Sequence, residues 1–217
     1  MLDEKILNLK KRLIQYSNHV EVMLEKSISG ILERDEEKLK DVLENMEHVA
    51  NKYELEFDEN CINAIAQYQP VTKNLRILIS IIKISNDLER VADHAVNISG
   101  HGLPLIMKPQ VKELVDLPKM AKLVIAMMRQ SIESFVDENI ELAELVCKKD
   151  DIVDELNITI KKDLASLMRS DSNVVNRSLR LISISANLER VADLATNICE
   201  DVIYLSKGIN IKHGSGI

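Results

Sequence analysis

Two stretches of this chain set a glutamate and an aspartate four residues apart: Leu88-Glu89-Arg90-Val91-Ala92-Asp93 and Leu188-Glu189-Arg190-Val191-Ala192-Asp193, identical letter for letter. On a helix that spacing puts both carboxylates on one face, about one turn apart. At ~100° per residue, Glu89 falls inside an apolar arc that includes Leu78, Ile82, Leu88, Ala92 and Val96. Asp93 lies at the edge of that arc and Asn97 one turn further; Glu189, Asp193 and Asn197 repeat the pattern. Burying an unpaired carboxylate is costly, so a glutamate directed toward a core needs a partner.

A second acidic stripe supplies one. Glu47, Asn51, Glu54 and Asp58 follow one another at helical spacing, in line with Leu43, Cys61 and Ile65. Measured from the break at Gln69-Pro70, Glu54 and Glu89 lie at similar distances on successive antiparallel helices, so Glu54, Asp58, Glu89 and Asp93 should converge. In the other half the stripe reads Asp150, Asp154, Asn157 and Lys161, which brings Asp150 and Asp154 to Glu189 and Asp193. Like charges so grouped repel, and either protonation or a cation relieves them. An all-oxygen set suits Mg, Ca, Mn or Fe better than a metal that favours thiolates. The same residues could instead form a solvated acidic seam or pair with Arg90 and Arg190, themselves expected to bridge to a neighbouring helix. Recurrence at one wheel position in both halves favours the metal reading.

The elements that must carry these residues are helices. The chain has 217 residues, 46% of them hydrophobic, with six Gly, four Pro and no Trp. A Leu, Ile, Val, Met and Ala core with few turn residues fits helix-on-helix packing. Apolar residues recur at helical period over roughly 3–33, 36–67, 72–99, 111–136, 140–169 and 174–206, leaving Gly100 to Pro109 as a linker. Pro118 stands either in the first turn of the fourth helix or at a kink. The repeat extends from Ile82, Ile84 and Ser85 (Ile182, Ile184 and Ser185) to Ala95, Asn97 and Ile98 (Ala195, Asn197 and Ile198) without a gap. The expected fold is therefore all-α: two tandem three-helix bundles, residues 1–105 and 106–217.

A formal net charge of −7 excludes a phosphate-backbone binder. Cys61, Cys147 and Cys199 are far apart and odd in number, which argues for core thiols in a reducing cytoplasm rather than disulfides. His48 and His94 read as surface residues, and Met127-Met128 as packing. The greasiest run, Ile77 to Ile82, is far short of the ~20 residues that span a bilayer. No nucleophile–base grouping, Gly-rich phosphate loop or HExxH appears. A ferritin-type di-metal oxidase would need Glu-x-x-His, and none of the five histidines has an acid three residues before it. A metal-free helical adaptor is the other alternative.

Taken as a set, the two Glu-Arg-aliphatic-small-Asp motifs, Gln69-Pro70 followed by Leu75-Arg76, and Asn197-Ile198-Cys199-Glu200 resemble the PhoU family of phosphate-transport regulators. The resemblance covers nearly the whole chain. It implies a cytoplasmic regulator and not an enzyme, with Glu54, Asp58, Asp150 and Asp154 matching the partner motifs of the two repeats. It implies divalent or trivalent metal ions (Fe, Mn, Mg, Ca or Zn), multinuclear in some members, on the carboxylate motifs. It also implies as partners a phosphate ABC transporter ATPase and a phosphate-sensing histidine kinase, membrane contact only through these, and a homodimer. Asn157 and Lys161 depart from the acidic pair of the first half, so the two centres should differ.

Overall fold

The computed structural model describes residues 1–207; residues 208–217, the end of the expected second bundle, lie outside the described residues. Every regular element described is helical: α1 (Leu2–Glu33), α2 (Glu36–Asp41), a π turn (Val42–Met46), α3 (Glu47–Tyr68), α4 (Thr72–Ile106), α5 (Asp116–Val136), α6 (Ile140–Ser170), a 3₁₀ turn (Ser172–Val174) and α7 (Val175–Lys207). The π turn interrupts the expected second helix just before Glu47, a placement common near functional sites. Pro118 sits in the first turn of α5, where its missing N–H costs no intrahelical bond.

Local chemistry fixes the helix ends. Asp35 caps α2 by accepting from Glu37 N at 3.0 Å and Lys38 N at 3.2 Å, and Asn139 caps α6 by accepting from Leu142 N at 3.0 Å. Gln69 closes α3 in the left-handed conformation, with φ of 43°.

One expectation is corrected here: α4 does not stop near residue 99 but runs through Gly100, Gly102 and Pro104 to Ile106. The glycines serve packing rather than a break. A Cβ at Gly102 would come within 2.6 Å of Ile31 Cγ1, so α4 approaches α1 where only a hydrogen fits. Arg34 then donates to Ile106 O and, at 3.0 Å, to Lys108 O, satisfying carbonyls that the helix end leaves free.

Within the first repeat α4 packs on α1 and α3; within the second, α7 packs on α5 and α6. The repeats join through α4 against α7 and α1 against α5. The buried apolar side chains of both halves form one continuous cluster, from Leu13 and Leu24 through Leu88 to Val124, Leu188 and Ile198. Across the seam, Arg129 of α5 forms a two-toothed ion pair with Glu21 of α1 (Nε to Oε2, 3.0 Å). Its guanidinium covers a carboxylate left 12% exposed.

Candidate metal centres

The seam between the second and third helix of each repeat carries the acidic residues. In the first repeat Glu89 is half-buried, and its carboxyl is held above its ordinary range by burial, then by Asp93 and Glu54, with Glu47 a further contributor. Asp93 and Asn97 lie at the exposed rim. Asp58 stands on the same α3 stripe beside Cys61; its Oδ1 is buried without a hydrogen-bond partner. Burial, with the nearby Asp58 charge, pushes the Cys61 thiol up to about 12.

The second repeat gathers Asp150, Asp154, Glu189 and Asp193. Burial, then Asp193 and Asp154, raises the Asp150 carboxyl to about 6, and its Oδ1 is likewise buried and unpartnered. Glu189 is raised by burial and Asp193; Arg190 and Lys161 pull it back. Asn157 takes no place among the carboxylates: it is buried, and the Ser185 hydroxyl donates to its Oδ1 at 3.0 Å. Asn197 is half-buried one turn beyond Asp193.

The arginines depart from expectation. Arg90 pairs with Asp87 at 3.3 Å, and Arg190 with Asp193 at 3.1 Å and Glu189 at 3.8 Å, each on its own helix rather than a neighbouring one. Arg190 therefore neutralises part of its own cluster. His48 is exposed, as expected, but His94 is not a surface residue. Its Nδ1 lies 2.8 Å from Asn187 Oδ1 in the α4–α7 seam.

Among the described residues, no three His, Cys, Asp or Glu side chains stand close enough to enclose one ion. Each half nevertheless offers clustered carboxylates that raise one another's pKa and one buried carboxylate oxygen with no partner. The chemistry of those donors, oxygen alone, is that of a hard-cation site, although the side chains as placed enclose no ion.

Three features lie outside the expected ligand sets. Glu47 belongs to the electrostatic neighbourhood of Glu89; its signal was its place at the head of the stripe. Tyr16 of α1 reaches the first cluster, where it feels Glu89, Glu54 and Asp93; nothing in its spacing announced this. Cys147 and Cys199, distant in sequence, hydrogen-bond across α6 and α7, and with burial this holds the Cys199 thiol far above its ordinary range. All three cysteines are free.

This architecture defines the molecule's class: a duplicated three-helix bundle with an acidic seam in each repeat. Comparison with known proteins places it further. The PhoU domain matches the chain twice, over residues 13–100 and 117–202. A Thermotoga maritima protein named phosphate-specific transport system accessory protein PhoU homolog 2 is 31% identical over 208 residues, covering 96% of this chain and 88% of that protein. An Aquifex aeolicus protein of the corresponding name is 31% identical over 212 residues, covering 98% and 96%. The crystal structure of PhoU from Pseudomonas aeruginosa superposes with a TM-score of 0.92 at 27% identity, covering 96% of this chain and all of that one. The chain belongs to the PhoU family.

Proposed function

We propose that this chain is an accessory regulator of phosphate transport that restrains uptake and phosphate-starvation signalling when phosphate is plentiful. The observation that carries the reading is the family match over both repeats, on a fold shared along nearly the whole chain. The relatives' names supply the phosphate-specific transport system as the setting. Among the described residues no helix is long and apolar enough to cross a membrane. In this reading the protein acts from the cytoplasm by docking, as a homodimer, on the transporter ATPase and the sensor kinase. It catalyses no reaction.

Metal is the structural part of this proposal. Glu54, Asp58, Glu89 and Asp93, with Asn97 at the rim, hold one cation centre; Asp150, Asp154, Glu189 and Asp193, with Asn197, hold the other. The support is the unpartnered oxygen of Asp150 inside a cluster whose charges repel, and the mutual repulsion of Glu89, Asp93 and Glu54 in the first repeat. When bound, the metal supplies positive charge that ties α3 to α4 and α6 to α7, and so fixes the shape of a docking face. Such coupling is reciprocal, so a partner that binds the metal-loaded form tightens metal binding by the same factor.

The test is affinity purification of the tagged protein from cells grown at high and low phosphate, beside a deletion strain. The ATPase and kinase should co-purify, and the deletion should leave uptake and signalling unrestrained at high phosphate. Normal regulation in the deletion strain with neither partner captured leaves the metal-free adaptor.

A further inference from the structure

A cavity of about 170 Å³ opens where the two repeats meet, and none of the carboxylates of either acidic seam lines it. Both repeats build it: Lys10 comes from α1, Arg76 and Ile77 from α4, Phe135 from α5 and Val202 from α7. Its floor is apolar, since Ile77, Phe135 and Val202 are all buried. Its rim is cationic, formed by Lys10, Lys73 and Arg76, in a chain whose formal net charge is −7.

A single carboxylate serves these cations. Glu138, in the turn between α5 and α6, accepts from Lys73 at 2.8 Å and from Lys10 at 3.4 Å. Arg76 is exposed and has no hydrogen-bond or ion-pair partner among the described residues. Three cations against one carboxylate leave two positive charges in excess at the cavity. Lys10 is the most enclosed of them. Its side chain is 12% exposed, with its ammonium 3.1 Å from Val136 O and 5.5 Å from the centre of the Phe135 ring. A lysine placed there has given up much of its hydration, which an anion beside it would offset.

The backbone at the cavity is unusual as well. Thr72 and Glu138 both line it and both stand in the left-handed region, at φ of 48° and 53°. That region is rare for a β-branched residue, and such conformations persist where the surrounding structure holds a ligand clamp in place.

We propose that this cavity binds a small dianionic amphiphile, a phosphate monoester with a short alkyl tail. The two excess charges match a dianionic head. Arg76 presents a planar fork to two phosphate oxygens, while Lys10 and Lys73 act as point charges. The apolar floor receives the tail. The space resembles a cavity of roughly 150 Å³ that holds benzene, so about six carbons fit. A bare inorganic anion would leave that floor uncovered, and a neutral alcohol would leave the cations unpaired. The bound ligand bridges α1 and α4 to α5 and α7, and so ties one repeat to the other. The inference does not depend on the metal centres.

n-Hexyl phosphate is the probe, titrated calorimetrically into the metal-free full chain near about pH 8, where a phosphate monoester carries close to two negative charges. Binding should saturate at one site per chain. Inorganic phosphate lacks the tail, hexanol lacks the head and hexanoate has a single charge, so each should bind about tenfold or more weakly. Arg76→Ala and Lys10→Met should each weaken hexyl phosphate by about fivefold or more. Arg76 is exposed and unpaired, so its replacement should leave the melting temperature unchanged and keep folding out of the comparison. Parity of any of the three analogues with hexyl phosphate overturns the ligand class. Undiminished affinity in Arg76→Ala overturns the site, and no saturable binding to the parent overturns both.

Discussion

The Ser185 hydroxyl donates to Asn157 Oδ1 at 3.0 Å, closing a buried polar pair between α6 and α7. At the matching position of the first repeat stands Ser85, whose buried hydroxyl is unpartnered. The duplicated scaffold has therefore diverged at one contact. In the second repeat the serine hydroxyl reaches across to the neighbouring helix; in the first it has no partner.

The first prediction follows from that contact. Asn157→Leu removes one of the two acceptors within reach of the Ser185 hydroxyl, Ile182 O at 3.0 Å being the other, and should destabilise the protein by about 0.5–1.5 kcal/mol. Urea unfolding of the metal-free protein measures it, and a loss under 0.3 kcal/mol, on the order of the usual fitting error, would show that the bond adds nothing.

A second concerns pH. The folded Asp150 carboxyl, at about 6, holds its proton more tightly than the unfolded chain does. Its contribution to stability is full below the ordinary carboxylate pKa and is lost as pH rises through about 6. Glu89 and Glu189 are raised too and act in the same direction. Metal-free protein should therefore melt higher near pH 5 than near pH 7, judged from the Asp150 value of about 6. Asp150→Asn should remove on the order of 1 kcal/mol of that slope, since solvent screens the group. Melting curves across this range check it, and an Asp150→Asn slope equal to wild type contradicts it.

Metal should reverse the same slope. A cation that binds only the folded state raises the melting temperature, by about 2.7 kcal/mol of stability at a concentration of 100 Kd. Replacing Glu89 and Asp93 with Ala should remove the first centre's share of bound metal, and replacing Glu189 and Asp193 with Ala the second's. The first centre should bind more tightly, because Lys161 places a positive charge at the second that has no counterpart beside Glu89. Metal analysis of the two double variants decides this; unchanged stoichiometry in either refutes the corresponding ligand set.

The two glycines near the end of α4 should respond with opposite sign. Gly100→Ala has no atom within 4 Å of the new Cβ and should stabilise the helix by up to about 1 kcal/mol. Gly102→Val drives a branched side chain into Ile31 and should cost about 1–3 kcal/mol. Thermal unfolding of both variants reads the difference, and a shared sign would mean that α4 and α1 are not in close contact there.

The sequence by itself determined the helices, the duplication and the residues of the acidic seam. Each depends on local period or on exact recurrence: Glu89 and Asp93 share a face because a helix has 3.6 residues per turn, whatever surrounds it. Identical motifs force identical placement in the two halves. Tertiary structure decided what local signals cannot carry. Gly100, Gly102 and Pro104 look like a linker, yet α4 continues through them because Gly102 must meet Ile31 of α1. Asn157 looks like a lost ligand, but its partner is Ser185. Tyr16 lies far from either motif in the chain, and only the packing of α1 on α3 and α4 stacks its ring on Tyr53 and Phe57 beside Glu54. Periodicity fixes which face a residue occupies, whereas the opposing side chain is set by how whole helices dock, a property of the assembled core.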